Sequence, residues 1–148
     1  MLFRSRTMDD LVLAVVRGIN ERRLKRFEEA LTSTRPLQAL WELNTDRSNA
    51  TLSAELTSIA THREPIRAEI VQSAKQFRAL QVEGVTRLLA PHNEDQYPAA
   101  GIVMIAVALA RTMVTESALG LTDGHQEALA IVDRLIQNAG KPGRNRNS

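Results

Sequence analysis

Three histidines, His62, His92 and His125, are the residues best suited to bind a metal in this sequence. Each falls in a different predicted turn region, and no two show the four-residue spacing on a helix that metal sites use. His62 with Glu64, and His92 with Glu94, could each offer two ligands, but a site needs three or four. We interpret them as solvated loop residues, with His125 at the surface or rim of the last helix, and expect no metal site.

The sequence also shows no motif for nucleophilic catalysis. The sequence contains no serine-nucleophile motif, no glycine-rich phosphate loop and no paired-carboxylate motif. It contains no cysteine, which excludes disulfides, thiolate ligands and a cysteine nucleophile. We therefore expect no enzyme, no catalytic residues and no cofactor. An enzyme with a site assembled between distant helices is the weakest alternative.

The composition is that of one globular domain. The 148 residues are 43% hydrophobic and 24% charged, with only 3% aromatic residues, so Leu, Ile, Val, Ala and Met must build the core. Residues 1–35 carry a formal charge of +3, residues 36–137 carry −4, and the tail from Asn138 to Ser148 carries +3. A mildly acidic body is not typical of a nucleic-acid-binding surface.

Apolar spacing and helix-end signals predict an all-α bundle of about six helices. Thr7 and Asp10 form a capping-box pattern at the start of the first helix. Pro36 begins a short helix on which Leu37, Leu40, Trp41 and Asn44 share a face. The predicted helices span about 8–31, 36–44, 52–60, 64–89, 98–119 and 122–138. We expect residues 7–138 to form the domain, with a mobile basic tail over 139–148.

The last two predicted helices are apolar on too many sides for a monomer of this size. The run AAGIVMIAVALA at Ala99–Ala110 has no polar face, and the final helix carries two adjacent apolar rows. An antiparallel pair of such helices, doubled by a two-fold axis, forms an intermolecular four-helix bundle. We therefore expect a homodimer. The residues expected in its interface are Ile105, Leu109, Met113, Leu129, Val132 and Ile136.

No membrane or secretion signal is recognised. Asp9 and Asp10 follow the basic residues near the N-terminus, and Leu11–Val16 is too short for a signal peptide. The run Ala99–Ala110 is shorter than the roughly 17–25 residues of a membrane span. We expect a cytoplasmic protein.

The helix order and the opening segment resemble the TetR family of transcriptional regulators. Thr-Met-Asp-Asp-Leu at 7–11, followed by Val-Leu-Ala-Val-Val-Arg, is similar to the segment that opens the first helix after that family's DNA-binding unit. Two short helices, a long one after a proline and two apolar helices follow in the same order. The three-helix DNA-binding unit with its helix-turn-helix is absent from this chain, so residues 1–6 would be a remnant or linker.

The resemblance implies a C-terminal effector-binding and dimerisation domain of a repressor. A small apolar or amphipathic effector would enter a helical pocket, shift the first helix and change the spacing of two DNA-binding units. DNA would be contacted only through a helix-turn-helix outside this chain. Asn44 is a possible further polar contact. The implied pocket residues are Trp41, Leu56, His62, Ile70, Phe77 and Met104.

The main alternative is a helical homodimer that does not bind DNA. Such a protein would bind small molecules, or would form inactive heterodimers with full-length relatives. The pattern also leaves open which face of the penultimate helix meets the pocket and which meets the partner.

Overall fold

The computed structural model describes residues 7–48, 50–89 and 96–139, and over these ranges it contains helices and no strand. The predicted all-α class with six helices is confirmed. The expected linker at 1–6, His92 with most of its loop, and residues 140–148 of the expected tail lie outside the described residues. The helices are α1 Met8–Leu31, α2 Pro36–Asn44, α3 Ala50–His62, α4 Glu64–Leu88, α5 Ala99–Ala118 and α6 His125–Asn138.

Helix α1 begins at the predicted capping box. The Asp10 backbone N–H donates to the Thr7 hydroxyl at 3.2 Å, and the Thr7 N–H donates to the Asp10 carboxylate at 3.2 Å. Both bonds satisfy backbone donors that the first helical turn leaves without a partner. The carboxylates of Asp9 and Asp10 also lie at the positive end of the helix dipole, so this prediction is confirmed together with its cause.

Helix α4 is the centre of the fold, because it packs against α1, α2, α3 and α5. It lies parallel to α1. Arg63, just before α4, pairs with Asp9 at the start of α1, whereas Gly84 near the end of α4 faces Leu31 at the end of α1. Midway, the Phe27 and Phe77 ring centroids are 5.7 Å apart. The close approach at one end depends on Gly84, since a Cβ there would lie 2.1 Å from a Leu31 methyl group.

The core consists of three buried clusters along this frame. One joins α1, α2 and α4 through Phe27, Ala30, Leu40 and Phe77. A second joins α4 to α5 through Val85, Ala99 and Val103. The third joins α2 to α5 through Trp41, Ala110 and Met113, and half-buried residues of α6 pack against it. Trp41 is 7% exposed, which confirms the prediction that it points inward.

Helix α6 starts later than the sequence suggested. We expected it to begin at about Thr122, but it begins at His125. Gly124 precedes it in the left-handed region, with φ of 78°, and a helix cannot continue backwards through that conformation. Gly120, with φ of 81°, follows the C-cap residue Leu119 and stops α5 from continuing in the same way. The two glycines together turn the chain so that α6 runs back along α5.

Candidate functional site

The outer side of the α5–α6 hairpin carries a group of large exposed apolar residues. Ile105 is 71% exposed, Leu135 66%, Ile131 57% and Met104 51%. We call these four residues the α5–α6 face. Large apolar side chains left exposed in a group are typical of interaction sites.

The opposite side of the same hairpin packs against the chain's own core. Ala110 is 1% and Met113 8% exposed, and both pack with Trp41 of α2. Leu109 of α5 and three residues of α6, Leu129, Val132 and Ile136, pack against that cluster while remaining half-buried. Of the six residues expected in the dimer interface, only Ile105 therefore lies on the α5–α6 face. The physical reason is Trp41, which packs at the inner side of the hairpin.

Ile131 and Leu135 were not among the expected interface residues. The sequence shows them on one row of the last helix, with Leu129, Val132 and Ile136 on the adjacent row. Helical spacing alone cannot decide which row faces the chain's own core. In the structure, the row with Leu129, Val132 and Ile136 packs against the cluster that contains Trp41 of α2, a residue far earlier in the chain.

The six residues implied as pocket lining are not brought together. Trp41 and Phe77 belong to different buried clusters. Leu56 and Ile70 are half-buried, whereas His62 is exposed at the end of α3. Met104 lies on the α5–α6 face. Asn44 is instead part of the internal polar packing, since its side-chain Nδ2 donates to the side-chain Oε1 of Gln81 at 2.7 Å.

An open cleft lies elsewhere, between α1 and α2. It is an open groove of about 550 Å³ with a floor of Ala30, Ala39 and Leu43. Its rim is charged, and Arg26 pairs with Asp46 there at 3.1 Å. Hydrogen bonds lower the pKa of Asp46 from its ordinary value. Those from Ser48 have the largest effect, and the one from Arg26 has a smaller effect. The rest of the rim is formed by Glu29 and Glu42.

His125 corrects the expectation of a surface or rim histidine. It is 9% exposed, and its Nε2 lies 2.8 Å from a carboxylate oxygen of Glu116. The contact ties the first residue of α6 to the last turn of α5. His62 is exposed, as expected of a solvated histidine, although it is the last residue of α3 and not part of a loop. Within the described ranges, no group of three or more potential metal ligands converges.

Arg23 of α1 contacts two aromatic rings of the core. The Arg23 guanidinium lies 4.9 Å from the Phe77 ring centroid and 5.6 Å from that of Phe27, within the range of cation–π attraction. Burial against its surroundings, followed by the charges of Arg111 and Arg26, lowers the pKa of Arg23 from its ordinary value. The sequence did not indicate this contact, because Phe77 belongs to α4 and Arg23 to α1.

Helix α5 has a further property that bears on location. Among the described helices it alone is long and apolar enough to cross a membrane, and 22% of its most apolar stretch is buried. The helix has 20 residues, longer than the apolar run at its start, and it includes Arg111 and Glu116. A core helix of a soluble protein meets the same criteria.

Comparison with protein-family models, with curated proteins and with solved structures finds no match to this chain.

Proposed function

We propose that this chain is the dimerisation and effector-binding part of a TetR-like transcriptional repressor, and that it forms a homodimer through the α5–α6 face. The observation that carries the proposal is the exposure of Ile105 on α5 and of Ile131 and Leu135 on α6. At roughly 25 cal/mol per Å² of apolar area, covering such a surface is strongly favourable.

A second copy is the occupant that fits this face. Two antiparallel helices with a shared apolar side form a four-helix bundle when a two-fold axis doubles them. Gly101, Ala108 and Thr112 are exposed on the same side of α5, and nothing lies within 4 Å of the Cβ position of Gly101. These small residues would let the partner's helices approach closely.

The dimer is tested by measuring the mass of the full chain in solution by light scattering. We expect twice the chain mass of 16.4 kDa at micromolar concentration. Ile105→Glu should yield a monomer with unchanged helix content, because Ile105 is 71% exposed within the chain. Val71→Glu is the matched control, since Val71 is an exposed aliphatic residue on α4, away from the face. A monomeric wild type, or a dimeric Ile105→Glu protein, would contradict the proposal.

The regulatory part of the proposal is supported by the helix order and by the capped start of α1. In this mechanism the effector stabilises one arrangement of the dimer over another, and α1 transmits the difference to a helix-turn-helix outside this chain. Translating the DNA upstream of Met1 in frame tests it. A helix-turn-helix pattern that continues into residues 2–7 supports the proposal, and a stop codon immediately upstream contradicts it.

We propose an apolar or amphipathic effector, which must open the packing around Trp41 in order to enter the bundle. Trp41 is the only tryptophan, so its fluorescence reports on that cluster alone. Titration with decanol as a neutral amphipathic probe should shift its emission with saturation. An emission spectrum that stays unchanged up to the solubility limit would contradict entry at this position.

We place the protein in the cytoplasm, and recovery of a soluble dimer without detergent tests that placement.

A further inference from the structure

The groove between α1 and α2 combines an apolar floor with an acidic rim. Ala30 on the floor is 7% exposed, and the half-buried Ala39 and Leu43 pack against the same core cluster, so both helices hold the floor in place. On the rim, Arg26 pairs with Asp46 at 3.1 Å, and their opposite charges offset each other. The other two charged rim residues are glutamates, so the groove as a whole is negative.

These two glutamates lie on different helices of the groove. Glu29 belongs to α1 and Glu42 to α2, and both are exposed. Neither has a cation within salt-bridge distance in the part of the chain that the structure describes. Glu42 accepts a hydrogen bond from the Gln38 amide at 3.2 Å, but a neutral donor does not compensate its charge. An apolar floor with two unpaired carboxylates is complementary to a basic stretch of polypeptide.

The chain itself contains such a stretch after α6. We call residues 140–148 the basic segment. It has no acidic residue, and its basic residues are Lys141, Arg144 and Arg146. Ile136, in the last turn of α6, packs against the cluster that contains Trp41 of α2. Two groove residues, Glu42 and Leu43, directly follow Trp41 in that helix. The basic segment therefore starts close to the helix that forms one wall of the groove.

The length of the segment is sufficient to reach the groove. Fully extended, residues 139–146 span up to roughly 26–29 Å. Helix α2 is nine residues long, which corresponds to about 14 Å, and a helix with its side chains is about 10–12 Å wide. The segment can therefore pass from the α6 side of α2 to the groove on its other side.

We propose that the basic segment binds the groove of its own chain, with its basic side chains paired to Glu29 and Glu42 and with Pro142 against the apolar floor. Exposed ion pairs are individually weak, but a short tether gives the segment an effective concentration in the millimolar range. The tether favours the chain's own segment over a free basic peptide. The groove lies on α1 and α2, outside the α5–α6 face, so a protein that is monomeric in solution can also show this contact.

The test uses a spin label in the full chain. The sequence contains no cysteine, so Ser148→Cys provides a single attachment site for a nitroxide. We expect paramagnetic broadening of the Ala30, Ala39 and Leu43 amide signals at low ionic strength. Amides in the first turn of α1 lie roughly 24 Å farther along that helix and should stay sharp. A mixture of spin-labelled chains and isotope-labelled chains should also give sharp groove signals, because the contact lies within one chain.

Variants separate the groove from general surface charge. Glu29→Lys and Glu42→Lys should each at least halve the broadening at Ala39 with unchanged helix content, because both residues are exposed. Glu28→Lys is the matched control, since it makes the same charge change at an exposed α1 position that does not line the groove. Salt at 1 M, which shortens the Debye length to about 3 Å, should remove most of the broadening.

Four results would overturn the proposal. Groove signals that stay sharp in the spin-labelled chain would show that the segment does not bind there. Broadening that persists in both glutamate variants, or that falls equally in Glu28→Lys, would show that the rim carboxylates do not hold it. Broadening in the mixed sample would place the segment in the groove of a second copy.

Discussion

Gly84 is a position at which the packing of α1 against α4 leaves no room for a side chain. A Cβ at this position would lie 2.1 Å from one Leu31 methyl group and 3.3 Å from two further Leu31 carbons. We expect Gly84→Ala to destabilise the fold by about 1–3 kcal/mol, since a half-buried leucine must move out of its packed position. Urea unfolding followed by circular dichroism measures the change.

Gly18 provides the control for this substitution. It lies inside α1, and its Cβ position would be 3.7 Å from the flexible end of Arg22. Gly18→Ala should therefore stabilise the protein by up to about 1 kcal/mol, the usual gain of alanine over glycine in a helix. If both substitutions stabilised the protein, the close contact between Gly84 and Leu31 would be refuted.

Asp46 gives the fold a small dependence on pH. Hydrogen bonds from Ser48 and Arg26 lower its pKa, so its contribution to stability is present above the unfolded value and is lost as the pH falls through the folded value. Asp46→Asn should cost a few tenths of a kcal/mol at neutral pH, because the group is exposed. The difference from wild type should vanish in acid, and a constant difference across that range would show another cause.

Individual residues were the least predictable level of this molecule. His125 looked like a surface or rim residue because it falls in the first turn of the last helix, yet Glu116 of the preceding helix lies beside it. The contact between His125 and Glu116 depends on the connection that contains Gly120 and Gly124. The same limit applies to Arg23, whose surroundings are set by α4 and α5. Contacts of this kind depend on which helices are neighbours, and local spacing does not contain that information.

At the scale of the helices, local signals predicted the number and order of the helices, although the start of α6 was placed too early. Thr7, Asp10 and Pro36 gave the starts of α1 and α2, and the apolar spacing gave the long α4. These features depend on bonds within one turn, so they can be recognised without knowing the fold. The inner side of the hairpin could not be recognised in this way, because Trp41 of α2 determines which apolar row is covered.

The capping box of α1 can be tested as a unit. Thr7→Ala should cost about 1 kcal/mol, because it exposes a backbone donor that the hydroxyl now satisfies. Asp10→Ala removes the reciprocal bond. Since the two side chains support each other, the double variant should lose less stability than the sum of the single variants. Strict additivity in urea unfolding would show that the two bonds act independently.

For the whole molecule, association and stability should be linked. If the α5–α6 face binds a second copy, the melting temperature must rise with protein concentration, because dimer formation stabilises only the folded chain. Leu135→Glu should abolish that dependence, since Leu135 is 66% exposed on the face. A melting temperature that is independent of concentration in the wild type would argue against a dimer in the tested range.

The parallel arrangement of α1 and α4 has a consequence for the order of folding. Neighbouring helices that run in the same direction cannot be joined by a short turn, and the contact of Asn20 with Ser73 spans 53 positions of the chain. Closing so long a loop has an entropic cost that later contacts must offset. We therefore expect the hairpin of α5 and α6 to become helical before α1 docks on α4. The folding transition state should then contain more of the native packing between α5 and α6 than of the contact between Phe27 and Phe77.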